Sequence, residues 1–261
     1  MRRAAVDFTK KLRTWDGFGA NYVEVAQTRD YEANPQEYGG FSTLNEGKRQ
    51  EILDMIFGHD GLRPALIKMF LDPFHQPCPG PGYDFSRHTI TYPTYDHMTT
   101  TRWMCYFVRQ GLERTRSRGD DLSIITTLYG PPAWMTKQGF LRGRDLDPEY
   151  KYECAKYIIA WVEYLREEEE FPVDYISLHN EGEDWQRWPL DGSTAVTANH
   201  DYNLYWPPEQ VVDFLRFMRP MLDERGLGAI GISPGETSNW FRFHHHGYAQ
   251  AIEKDPVAMG N

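Results

Sequence analysis

Apolar and polar positions along this 261-residue chain switch repeatedly between two periods. Short runs rich in apolar and β-branched residues recur at 14–20, 65–71, 121–128, 173–179 and 228–234, each of strand length. The segments between them repeat their apolar residues every three to four positions. Residues 45–57 place Ile52, Met55 and Ile56 on one face, and 148–169 set Tyr157, Ile158, Trp161, Val162 and Leu165 at helical spacing. The helix predicted at 99–118 carries its basic residues toward its C-terminal end, where the helix dipole favours them. Pro207-Pro208 marks the start of a helix over 208–225, and 248–254 opens another.

Strands alternating with helices predict βα units and a parallel sheet. The run 65–71 (ALIKMFL) is nearly all apolar, as a strand covered on both faces would be. No linker or low-complexity stretch divides the chain, so 1–261 reads as one domain. A closed barrel of such units needs eight strands, and five parallel strands alone would leave two apolar edges open. The expected fold is therefore an α/β TIM (β/α)8 barrel, incomplete at its C-terminus after about five βα units.

Composition narrows the function. The chain is 40% hydrophobic and 15% aromatic, with eight Trp and sixteen Tyr, which suits stacking on sugar rings as well as a large core. A net charge of −10 argues against nucleic acid, whose phosphates need a basic face. Three separated cysteines (Cys78, Cys105, Cys154) make neither a disulfide framework nor a zinc site. No apolar run reaches the roughly 18 residues of a membrane span. The N-terminal residues show no signal-peptide pattern, and the compartment is left open between secreted and cytoplasmic.

The candidate chemistry centres on Asn180-Glu181. A β-rich run delivers a carboxyl group to a strand end, beside an amide and ahead of Trp185 and Trp188. In a (β/α) barrel, functional residues sit at the C-terminal ends of strands. A carboxyl group, an amide for hydroxyls and indoles for stacking are what glycosidic bond cleavage uses. The alternative is an ordinary solvated strand-end Glu. His244-His245-His246 reads as a solvated helix start rather than a metal site, and Glu167 to Glu170 as a solvated helix end.

Several motifs occur together in order: Asp16-Gly-Phe-Gly-Ala20, Ile67-Lys-Met-Phe-Leu-Asp72, Gly130-Pro-Pro-Ala-Trp-Met135, Ser177-Leu-His-Asn-Glu181 and Glu236-Thr-Ser-Asn-Trp240. With them the chain resembles the retaining glycoside hydrolases of clan A, most closely glycoside hydrolase family 30, the glucosylceramidase-like enzymes. The resemblance implies that Glu181 is the general acid/base and that Asn180 bonds the sugar 2-hydroxyl. It implies that Asp72 and Trp134 help form that subsite, with a turn role before Pro73 and core packing as their respective alternatives. Glu236 corresponds to a substrate-binding acid rather than the nucleophile, the alternative being a loop acid paired with Arg242. Tyr129, where many members have Trp, and Trp185 join the sugar-binding set. Lys68 stands where the family usually has Arg, His179 where many members have Gln, and Gly182 where Pro is usual.

The family's nucleophile, a Glu ending the seventh strand, is expected beyond Asn261. That makes the fragment itself inactive and the whole a retaining glycosidase acting on β-linked glycans, with no metal or organic cofactor. The rivals are a carbohydrate-binding pseudo-enzyme and a subunit that completes its barrel with another chain. Oligomeric state is not legible.

Overall fold

The computed structural model describes residues 7, 9–10, 17–22, 40–76, 95–139, 141, 143–183 and 202–260. Five strands, β1 (Gly19–Asn21), β2 (Leu66–Leu71), β3 (Ser123–Leu128), β4 (Val173–Ser177) and β5 (Gly231–Ser233), form one sheet in sequential order. Every neighbouring pair is parallel. Four helices occupy the connections: α1 (Glu46–Phe57), α2 (Arg102–Ser117), α3 (Lys151–Glu167) and α4 (Pro208–Glu224). Three short helices follow β5: α5 (Trp240–His245), α6 (Tyr248–Glu253) and α7 (Pro256–Met259).

Local chemistry accounts for most of the boundaries. The Asn45 side chain accepts from the Lys48 backbone N–H at 3.0 Å and opens α1, meeting one of the donors left unpaired at a helix start. Pro208 occupies the first turn of α4, where its missing N–H leaves no helical bond unmade. The strand expected at 228–234 shrinks to three residues. Ile230 N–H turns back to the Leu227 carbonyl at 3.0 Å, and Pro234, with no N–H, cannot extend the ladder.

Residues two apart on a strand share a face, and the two faces of this sheet differ. Ile67, Met69 and Leu71 of β2, Ile124 and Thr126 of β3, Ile176 of β4 and Ile232 of β5 are all buried. Trp161 of α3 reaches this face and donates its indole N–H to Thr126 Oγ1 at 2.8 Å. The opposite face carries Lys68, Phe70, Ile125, Thr127, Tyr175 and Ser177, and Tyr175 is 47% exposed. Its polar positions concentrate toward the C-terminal strand ends.

Two readings of charged runs need correction. Glu169 does not lie in solvent beyond α3: its side chain is 5% exposed, pairs with Arg109, and accepts from the Tyr164 hydroxyl at 2.9 Å. The histidine run closes α5 rather than starting a helix, with His246 as its C-terminal cap. Basic side chains suit that end of a helix. Cys105 and Cys154 are buried free thiols. Among the described residues no helix is long and apolar enough to cross a membrane.

The α1–α2 contact depends on Gly111, where a Cβ would come within 2.8 Å of the buried Phe57 ring. Gly111→Val should therefore destabilise the fold by about 1–3 kcal/mol through overpacking, despite valine's modest advantage in helix propensity. A lower urea midpoint at unchanged slope would show it; an unchanged midpoint would mean that the two helices separate freely.

Candidate active site at the strand ends

β4 ends at Ser177, yet its pairing with β5 resumes further on. Asn180 and Glu236 form an isolated parallel bridge. Glu236 N–H donates to the His179 carbonyl at 2.9 Å, and Glu181 N–H donates to the Glu236 carbonyl at 2.6 Å. The segments that follow both strands are thus tied backbone to backbone. At that tie Glu181 takes a φ of +50°, a left-handed conformation that costs a residue with a Cβ roughly 1–2 kcal/mol. Such backbone persists where its surroundings over-determine it.

His179 is one of those surroundings. It is buried, its Nδ1 accepts from the Gly182 N–H at 3.0 Å, and its ring packs on Tyr248. Because Nδ1 accepts, the proton of the neutral ring sits on Nε2. Gly235 closes over that nitrogen: with φ +129°, it would bring a Cβ to 2.0 Å from Nε2. Glycine is required there on both counts. Glu183, fully buried, adds a second tie by accepting from the Ser238 N–H at 2.8 Å and pairing with Arg242 at 3.5 Å.

Behind the bridge lies a charged cluster. Lys68 of β2 donates to Asn180 Oδ1 at 3.0 Å and pairs with Glu236 Oε2. Thr127 of β3 donates to Glu236 Oε1 at 2.6 Å. Burial pushes the Glu236 carboxyl upward, but the Lys68 charge and hydrogen bonds from Lys68, Thr127 and Ser177 outweigh it and hold the group below the usual range. Glu236 is therefore ionised at neutral pH, and both of its oxygens are occupied. Asn180 Nδ2 in turn donates to Asn203 Oδ1 at 3.0 Å. Asn180 and Glu181 are half-buried.

Not every expected site residue joins this cluster. Asp72 is fully buried; it accepts from the Phe74 N–H at 2.9 Å and the Thr100 hydroxyl at 2.5 Å, the turn role after β2. Tyr129 is 2% exposed between Phe70 and Tyr202. Trp134 is partly buried and packs edge-on against Tyr150. Trp206, beside the loop after β4, lies in the core against Phe214. Trp185 and Trp188 lie outside the described residues, as do Asp16, Cys78 and most of the loop at 73–95. Glu236 pairs with Lys68 rather than with Arg242, whose carboxylate partner is Glu183.

Thr127, Ser177, Asn203 and Glu183 were not anticipated. Thr127 and Ser177 had a signal, being polar residues toward the C-terminal ends of their strands. Asn203 and Glu183 had none. No group of three His, Cys, Asp or Glu able to hold a metal ion occurs among the described residues.

The fold is shared with solved structures at low identity. No family model matches the chain, and no curated protein matches it in sequence. SrfJ from Salmonella typhimurium superposes at a TM-score of 0.66 with 16% identity over 95% of this chain and 49% of its own. A conserved exported protein from Bacteroides fragilis follows at 0.59, with 14% identity over 90% and 46%. The catalytic domain of GH30 xylanase C from Talaromyces cellulolyticus matches at 0.51, with 13% identity over 90% and 50%. The chain is thus an α/β protein that shares its fold with these structures. It spans about half the length of each of these structures.

Burial pushes the His179 imidazole down to about 4, against about 6.5 for an unperturbed histidine. The folded state thus binds fewer protons than the unfolded state between those values. The stability this group contributes is intact above pH 6.5 and is lost as the pH falls toward 4, on the order of 3 kcal/mol in full. Urea titrations at stepped pH should show that loss in the native protein and a flatter profile in His179→Gln, whose amide oxygen can accept the Gly182 N–H. Parallel profiles would remove His179 as the source.

Proposed function

We propose that this chain carries the acid/base side of a retaining β-glycosidase site, built on the first five βα units of a (β/α)8 barrel. The sequential strand order supports the barrel reading. Crossovers of one hand, taken always in the same direction, place every helix on one face of the sheet, as in the barrel. A doubly wound sheet instead reverses its order at a switch point.

One observation carries the functional reading. Of the two carboxyl groups at the β4–β5 bridge, Glu236 is locked as an anion by Lys68 and Thr127, while Glu181 stands on a left-handed turn at the end of β4. Glu181 is then the group that protonates the leaving oxygen and later takes a proton from the attacking water. Asn180 binds a hydroxyl of the same sugar, and Glu236 serves substrate binding and the charge balance of the floor. The nucleophile of a retaining pair stands about 5–5.5 Å from the acid/base and would come from outside these five units. The substrate class is a β-linked glucoside, xyloside or related glycan, and this chemistry calls for no metal or organic cofactor.

A second arrangement has one observation in its favour. Among the described residues β1 and β5 each pair on one side only, so another polypeptide could complete the barrel.

In a protein that carries this chain within a complete barrel, Glu181→Gln should lower turnover of an unactivated β-disaccharide by about 10²–10⁴-fold. Release of dinitrophenol from an activated aryl glycoside, which needs no acid in the first step, should be largely spared. Equal losses on the two substrates would take the acid role away from Glu181.

A further inference from the structure

Lys68 sits in a strand whose other members are all apolar, and its side chain is 13% exposed. Its ammonium is held from three sides: by Glu236 Oε2, by Asn180 Oδ1 at 3.0 Å, and by the face of Phe70 at 4.7 Å. An ammonium has three donors and no acceptor. The Asn180 atom facing it must therefore be the oxygen. A primary amide has two flip states that neighbours alone decide, and here a group that cannot accept makes the choice. The opposite end of the amide meets Asn203 Oδ1 at 3.0 Å, so the polar chain runs one way from Lys68 through Asn180 to Asn203.

We infer that Lys68 is a positioning residue that locks the Asn180 amide with its oxygen inward, so that a ligand at Asn180 meets the remaining N–H of Nδ2. The site therefore selects a hydrogen-bond acceptor on the ligand at that point. The ligand half of this inference rests on the glycosidase reading; the lock itself does not. Cation–π contact with Phe70 strengthens the lock, and the buried pair with Glu236 keeps the lysine charged in place. A neutral side chain at position 68 would leave the amide held from the Asn203 end only, and Asn203, itself an amide, can offer either atom.

Two readouts test the two halves separately. The first is the Asn180 side-chain amide resonance in ¹⁵N-labelled protein, assigned through Asn180→Asp. Native protein should give one slowly exchanging pair of Nδ2 protons. Lys68→Met should broaden or split that signal and speed its exchange at least several-fold, while Lys68→Arg, also a pure donor, should restore it. The double variant Lys68→Met with Glu236→Met, which leaves no carboxylate unpaired, should behave as Lys68→Met does and guards against a folding defect in the single variant. An unchanged signal in both Met variants would overturn the lock.

The second readout, in a protein that carries this chain within a complete barrel, is affinity for methyl β-glucoside against its 2-deoxy analogue. Native protein should prefer the 2-hydroxy sugar about fivefold to tenfold, one hydrogen bond's worth. Lys68→Met should bring the ratio near one, and Lys68→Arg should recover it. A ratio that survives Lys68→Met would overturn the claim that the lock sets recognition. Native protein that binds neither sugar would overturn the glycosidase reading and the ligand half with it, and the amide signal would still decide the lock.

Discussion

A lysine placed inside a parallel strand has to carry its charge to a partner, because an unpaired buried ammonium costs several kcal/mol. Lys68 does so by pairing with Glu236, which follows β5. That one ion pair spans the sheet from its second strand to its fifth. It draws in Thr127 from β3 and Asn180 after β4, so residues from four consecutive strands and the segments after them meet at a single charged centre. A buried pair of this kind is weak evidence for net stability. What it supplies is registry: the segments after β4 and β5 are held where the Asn180–Glu236 bridge can form.

From that centre outward, each restraint limits the next. The left-handed turn at Glu181 directly follows the bridge. His179 secures the turn by accepting the Gly182 N–H, and Gly235 supplies the bare backbone that lets the imidazole fit. Glu183 anchors the next stretch to Ser238. The consequence for chemistry is a fixed negative charge at the strand ends. Glu236 is surrounded by donors and stays an anion.

Much of this architecture was legible in the sequence because it rests on periodicity. The strand at 65–71, the helix at 45–57 and the proline-started helix at 208–225 all occur within a few residues of their expected bounds. The strand ahead of Asn180-Glu181 was equally readable from its β-branched and aromatic run, although it ends at Ser177, three residues before Asn180. What escaped was pairing between residues far apart in sequence. Lys68 and Glu236 are 168 positions apart, and no local pattern tells an acid after β5 to choose Lys68 over the nearby Arg242. Asp72 illustrates the same limit. Its neighbour Pro73 suggested a turn and its strand-end place suggested a ligand, and only tertiary contacts turn its carboxylate toward Thr100. The buried side chain of Glu169 was hidden by a run of four acids that reads as solvated at every position.

The central claim is that the strand ends after β4 and β5 form a carbohydrate site. A crystal structure of the protein soaked with xylobiose or cellobiose tests it most directly. The account predicts a sugar ring at the C-terminal ends of the strands, with a hydroxyl bonded to Asn180 and the Glu181 carboxyl facing a glycosidic oxygen. A disaccharide bound elsewhere on the protein, with Asn180 and Glu181 untouched, would contradict it.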